Sequence, residues 1–283
     1  MTAALEIEGL SVSFPTRDGW VPVVREVSLC VDEGEIAGLV GESGSGKSLT
    51  AMSALGLLPA GARMQCERLR LDGESVDGRT GREMEALRGS RIALVPQEPM
   101  NSLNPTMRIG RQLELVVRSN RRVSSAQARD IAVEYLERML ITDAARVMTA
   151  HPFELSGGMR QRVLLAMAFS CNPRVLIADE PTTALDVTVQ QEVLTLLRES
   201  AAATDTAVLF ISHDLAVVSQ LCDTVAVMRA GEIVERGETS DVIGRPMHPY
   251  TGALLASLPA NSPPGSRLPI GEGGAAADSG GPA

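Results

Sequence analysis

Residues Gly41 to Ser48 read GESGSGKS, between the apolar run EIAGLV (35–40) and the apolar stretch LTAMSALGLL. A bare G-x-x-x-x-G-K-S match says little, but a strand before it and a helix after it turn it into a phosphate-binding loop. Glycines at 41, 44 and 46 permit backbone conformations that side chains obstruct, so successive N–H groups can face phosphate oxygens. Lys47 would reach the β- and γ-phosphates of a nucleotide, and the Ser48 hydroxyl would help to hold Mg²⁺. A plain glycine-rich turn is the competing reading, and the strand–loop–helix context disfavours it.

Other apolar runs extend the pattern. RIALVP (91–96), RVLIAD (174–179) and AVLFIS (207–212) are short and mostly apolar, as buried strands of a parallel or mixed sheet are. LEIEGLSVSF (5–14) alternates like a half-buried strand. Between RIALVP and RVLIAD, the segment AQARDIAVEYLERMLI places Ala128, Ile131, Ala132, Tyr135, Leu136, Met139 and Leu140 on one helical face, so residues from about 98 to 170 read as a helical insertion. TVAVMRAGEIVERG resembles a hairpin turning at Ala230-Gly231. The last 23 residues hold ten Gly or Pro and almost no large apolar side chain. They cannot offset ordering entropy, and residues 261–283 are expected to form a disordered tail behind one domain spanning 1–260.

The chain of 283 residues can bury a sizeable core, and with 2% aromatics that core must be aliphatic. A net charge of -9 without a basic tract weighs against nucleic-acid binding. Cys30, Cys66, Cys171 and Cys222 are scattered and read as reduced thiols. No run approaches the ~18 apolar residues of a membrane span, and the start lacks a signal-peptide pattern, so a membrane role is expected to come through a partner.

Four further stretches carry chemistry. VLIADE (175–180) ends an apolar strand with two carboxylates: Asp179 suits an indirect hold on Mg²⁺, and Glu180 suits polarising an attacking water. An acidic turn is the ordinary reading, but beside the glycine loop, at strand C-termini where open α/β sheets place ligands, the functional one prevails. Gln97 closes RIALVP and can ligate Mg²⁺ and touch the water; His213 ends AVLFIS and would meet phosphate if another strand brings it near. LSGGMRQR (155–162) leaves backbone N–H groups unpaired at a helix start, where the macrodipole attracts an anion. An ordinary cap is the alternative there.

The order GESGSGKS, VPQ, LSGGMRQR, VLIADEP, ALD and ISHD resembles the nucleotide-binding subunit of ATP-binding cassette transporters over residues 5 to about 258: Walker A, Q-loop, signature, Walker B, D-loop and H-loop. The resemblance implies an α/β P-loop NTPase fold with a mixed central sheet, an antiparallel β-subdomain and a helical subdomain. It implies MgATP bound by Gly41, Ser43, Gly44, Ser45, Gly46, Lys47, Ser48 and Leu49, with Phe14 stacking on adenine and Trp20 as the second choice. Ser48, Gln97 and Asp179 would hold the metal; Glu180, His213, Gln97 and Lys47 would carry catalysis. Family members pair head to tail, so Ser156, Gly157, Gly158 and Gln161 would meet ATP on the partner, and Asp186 would link the two sites; a helix cap is the other reading of Asp186.

VGESGSGKSLT, VPQEPMNSLNP and HPYTGALLASLP resemble the oligopeptide, dipeptide and nickel importer branch. Many relatives continue into a cysteine-containing extension resembling an iron–sulfur site; the cysteine-free tail here predicts no cluster and keeps nickel-type relatives in play. The implied partners are two transmembrane permease subunits, a second ATPase subunit (identical or homologous) and, indirectly, an extracytoplasmic solute-binding protein, with the chain on the cytoplasmic face of the inner membrane. EPMNSLNPTMRIG is expected to line the permease-docking groove, with Met100 and Leu103 as contacts. Soluble cassette proteins of translation or DNA repair, or a module that holds ATP without turnover, are the other classes; one cassette, the acidic balance and intact Glu180 and His213 argue against them.

Overall fold

The computed structural model describes residues 3–79, 81–97, 102–183 and 185–257. The four apolar runs are adjacent strands: β3 (Ile36–Val40), β7 (Ile92–Val95), β8 (Val175–Asp179) and β9 (Ala207–Ser212) lie parallel, joined by β10 (Thr224–Arg229), in a six-stranded sheet. The order is β11-β10-β3-β9-β8-β7, and β11 (Glu232–Glu238) pairs antiparallel with β10, so the sheet is mixed as expected. These strands are apolar throughout because both faces are covered. Along β9, Val208 and Phe210 point into the core shared with the helices, while Ala207, Leu209 and Ile211 point into a second core on the opposite face.

A five-stranded antiparallel sheet covers that opposite face. It contains β1 (Ala3–Thr16), β2 (Gly19–Asp32), β4 (Arg63–Gln65), β5 (Arg68–Leu71) and β6 (Glu74–Ser75), in order β2-β1-β5-β6 with β4 also on β1. β1 buries Leu5, Ile7, Leu10 and Val12. Its alternation breaks between Ile7 and Leu10, where the register with β2 shifts. Two helices flank this side, α1 (Lys47–Ala54) directly after the glycine loop and α2 (Gly81–Leu87).

The expected helical insertion lies between β7 and β8 as α3 (Ile109–Asn120), α4 (Ser125–Arg138), α5 (Ala144–Thr149) and α6 (Gly157–Ser170). A capping box starts α4: Ser124 Oγ accepts from Gln127 N while the Gln127 side chain accepts from Ser124 N. Its apolar face buries Ala128, Ala132, Tyr135 and Leu136, with Ile131 half-buried and Met139 buried just past its end. Leu140 corrects the sequence reading. α4 stops at Arg138, Leu140 takes φ 54, and the reversal turns its side chain outward to 62% exposure. Arg162 from α6 then donates to the carbonyls of Met139 and Leu140.

The chain continues with α7 (Val187–Thr204), α8 (Leu215–Leu221), α9 (Thr239–Gly244) and α10 (Pro249–Ala256). The β10–β11 hairpin turns at Ala230 and Gly231, both with positive φ, which matches the right-handed twist of the strands. Residues 98–101, which include Met100, and the tail 261–283 lie outside the described residues.

Candidate functional site

Because β3, β9, β8 and β7 are parallel neighbours, the residues at and just past their C-terminal ends gather along one edge: the glycine loop, His213, Asp179 with Glu180, and Gln97. That edge is where open parallel sheets bind ligands. The loop is packed from behind. A Cβ on Gly41 would stand 2.1 Å from the Met228 carbonyl oxygen of β10, so no side chain fits there. The Gly231 N–H donates to the Ser45 carbonyl at 3.0 Å, fixing the loop to the hairpin. Lys47, 5% exposed, donates to the carbonyls of Gly41 at 2.8 Å and Glu42 at 2.9 Å. Burial pulls its pKa down, against the raising influence of Glu180, Asp179 and Glu42.

Ser48, in the first turn of α1, donates to Asp179 Oδ1 at 3.2 Å. Asp179 is 6% exposed, and burial raises its carboxyl pKa despite that hydrogen bond and Lys47. An inward-facing carboxylate beside a hydroxyl and a lysine is a donor set that a small, hard divalent cation and a polyphosphate would satisfy. The Ser45 hydroxyl is buried without a partner at the same loop. The residues therefore fit both groups.

Glu180 has φ 45, a left-handed conformation that a non-glycine residue adopts at a cost, and its N–H is held by the Ile211 carbonyl of β9 at 2.9 Å. Three groups converge on its Oε2: Gln97 Nε2 at 3.0 Å, Thr183 Oγ1 at 3.1 Å and His213 Nδ1 at 3.1 Å. All three meet Oε2, so among these described partners none takes up Oε1, which can accept from another molecule. Thr183 was not singled out from the sequence; its only signal was its place three residues after Glu180. Phe14 sits half-buried at the end of β1 against the core, opposite Val21, while Trp20 is 52% exposed with the Arg63 guanidinium over its ring at 5.9 Å. Ser43 and Gly44 are exposed on the loop, Gly46 is the N-cap of α1 and Leu49 is half-buried.

The signature lies apart from this cluster, on the helical lobe. Ser156 caps α6 by accepting from Met159 N at 3.3 Å. Gly157 and Gly158 follow as the first helical residues, whose N–H groups have no partner within the helix. Ser156 and Gly157 are exposed. Gly158 packs on α7: a Cβ there would come within 2.5 Å of Val189 Cγ1. Asp186 caps α7, accepting from Val189 N at 3.0 Å, and stays exposed. Gln161 departs from its expected place. It is 0% exposed with neither amide atom hydrogen-bonded, inside the lobe and not on the surface that could meet a second subunit.

Leu103, expected as a docking contact, is also inside, 2% exposed within the helical core. The groove beside it is a cavity of 320 Å³ whose walls include Leu55, Leu57, Leu94, Pro96, Ser102 and Leu164.

Residues 24–183 match the family model described as ABC transporter, and residues 234–279 match that described as the oligopeptide/dipeptide transporter C-terminal region. A probable D,D-dipeptide transport ATP-binding protein, DdpD of Escherichia coli K12, is 54% identical over 266 residues, covering 94% of this chain and 81% of that protein. The oligopeptide transport ATP-binding protein OppD of Bacillus subtilis is 44% identical over 260 residues, covering 92% and 73%. Among solved structures, the dimeric bacterial ABC transporter cassette MJ0796 superposes with a TM-score of 0.73 at 24% identity, covering 83% of this chain and 98% of that one.

Proposed function

The chain belongs to the ATP-binding cassette transporter family, and from that premise we propose that it binds and hydrolyses ATP to power import of di- or oligopeptides. The observation that carries the hydrolytic part is the convergence of Gln97, Thr183 and His213 on one oxygen of Glu180, beside Lys47 and Asp179. Lys47 and the loop N–H groups cradle the phosphates, with Phe14 offering its ring to the base. Ser48, Asp179 and Gln97 are the residues that would hold Mg²⁺. When bound, Mg²⁺ would offset charge on the β- and γ-phosphate oxygens. Glu180, oriented through Oε2, accepts from the attacking water through Oε1, while His213 positions the phosphate side. Catalysis here is alignment and electrostatics, since phosphoryl transfer needs little covalent help from protein.

A second ATPase subunit, identical or homologous, completes the site. Ser156 keeps its own oxygen busy as a cap, so what α6 presents outward is the pair of glycine N–H groups at a positive helix end. Those groups suit the γ-phosphate of a nucleotide held on the neighbouring chain, with Asp186 at the seam between the sites. Two permease subunits dock at the groove near Leu57 and Ser102, where an apolar helix of the permease could lay its face. Among the described residues no helix is long and apolar enough to cross a membrane, which fits attachment to the cytoplasmic face through those permeases. An extracytoplasmic binding protein would supply the solute.

The peptide assignment is supported by the match over 234–279 and by the peptide named for DdpD and OppD. Glu180→Gln should hold ATP and dimerise while hydrolysis falls at least about 100-fold; turnover at the parental rate would remove Glu180 from its role. Uptake of a labelled dipeptide by cells carrying the parent but not Glu180→Gln tests the substrate. Nickel uptake in its place would move the chain to the nickel branch.

A further inference from the structure

The motif HPY (248–250) has no part in hydrolysis as described above, yet each of its residues has a physical task. His248 is the N-cap of α10, its Nδ1 accepting from Tyr250 N at 3.1 Å, and Pro249 occupies the first turn, where a missing N–H costs nothing. The start of this helix is pinned to β11, because the Glu235 carboxylate accepts from Met247 N at 2.7 Å and His248 N at 3.0 Å. Tyr250 is thereby aimed back at the nucleotide loop, 208 residues away in sequence, where its hydroxyl oxygen accepts from the Glu42 N–H at 3.2 Å. The Arg229 guanidinium lies 4.8 Å over the Tyr250 ring and holds the ring in place. On the other side of the same residue, the Glu42 carbonyl accepts from Ser45 N at 3.2 Å and from Lys47 Nζ at 2.9 Å.

We propose that Tyr250 is a positioning residue for the nucleotide loop: its hydroxyl keeps the Glu42 peptide in the cradle geometry and so sets the affinity for ATP. The segment that matches the oligopeptide/dipeptide transporter C-terminal region is in this way wired to the phosphate site. The inference rests on the ATPase reading above. A glycine-rich loop samples many conformations, and apparent affinity falls with the fraction that can receive phosphate. A fixed hydrogen bond from outside the loop raises that fraction before the nucleotide arrives. Among the described residues Tyr250 makes its hydrogen bonds to Glu42 and His248 and none to Glu180 or His213, so its effect belongs to binding and not to the chemical step.

The test is Tyr250→Phe in the full chain, which keeps the ring and the Arg229 stacking and removes one oxygen. MgATP binding to the full chain, measured by calorimetry, should weaken about three- to tenfold, the worth of one hydrogen bond. In the assembled transporter KM should rise by a similar factor with kcat at saturating ATP unchanged within about twofold. A merely structural role would instead lower the fraction of active protein, and with it the apparent kcat, at unchanged KM. Unchanged affinity, or a fall in kcat at constant KM, overturns the proposal. A parent protein without ATP hydrolysis would fail the ATPase reading itself, whereas an active parent whose Tyr250→Phe form keeps its KM fails this inference alone.

Discussion

Gly157 and Gly158 adjoin in the chain but have different surroundings, and Gly157→Ala separates what the fold needs from what a second subunit needs. Among the described residues a Cβ on Gly157 would meet only Leu185 Cδ2, at 3.7 Å, an ordinary contact, and the residue is helical and exposed. Within one chain, then, alanine costs nothing and adds up to about 1 kcal/mol of helix preference. The thermal midpoint of the isolated chain should hold or rise by about 2–4 °C. Helical Cα–Cβ bonds lean toward the N-terminus, so the new methyl stands where a phosphate would approach the N–H groups of Gly157 and Gly158. Losing a hydrogen bond to a charged group costs about 1.5–3 kcal/mol at each of the two sites of a homodimer, about 3–6 kcal/mol in all, which weakens ATP-driven dimerisation at least about 150-fold. The assay is sedimentation of Glu180→Gln with and without Gly157→Ala, at rising ATP, beside thermal unfolding of each. Dimerisation at the parental ATP concentration would refute the reasoning, because nothing inside the chain would then account for the glycine.

Gly158 makes the opposite case: Gly158→Ala should destabilise the chain by about 1–3 kcal/mol through overpacking against Val189. Val189→Ala removes the atom at 2.5 Å and leaves the nearest at 3.8 Å, so the double variant should recover at least about 1 kcal/mol relative to additivity in denaturant melts; strict additivity would sink the packing argument. Of the four thiols Cys30 is exposed while Cys171 and Cys222 are buried. Iodoacetamide followed by mass spectrometry should label Cys30 first in the native protein. Burial, then Asp32 and Glu35, raise the Cys30 pKa above 9.0, so its thiolate is scarcer than an ordinary one and its labelling rate should still be climbing with pH at 9.0. A plateau below that pH would contradict the shift.

The parallel strands and the loop between β3 and α1 were legible because their sequence signals are local: short apolar runs, fixed glycine spacing and a lysine beside a serine. The positions of Asp179, Glu180, His213 and Gln97 followed, since each lies at the C-terminal end of a strand or within two residues of it. Leu140 was misplaced because a helical wheel has no information on where the helix stops. Gln161 and Leu103 were misplaced because a motif gives the neighbourhood of a residue but not the direction of its side chain, and burial decides that. The bond between Tyr250 and Glu42 could not be read from the chain, because it depends on how α10 is pinned to β11 and no local pattern encodes a contact of such sequence separation.

The carboxylate of Glu180 is met from β7 by Gln97 and from β9 by His213, while the backbone of Glu180 itself extends β8 and is tied to β9. It thus works as an alignment gauge for three strands at once. Sliding any one past its neighbour by a single residue moves a partner by about 3.3 Å and unmakes the arrangement, though nearly all the sheet survives. Turnover should accordingly vanish in mild denaturant well before circular dichroism reports any loss of helix or strand.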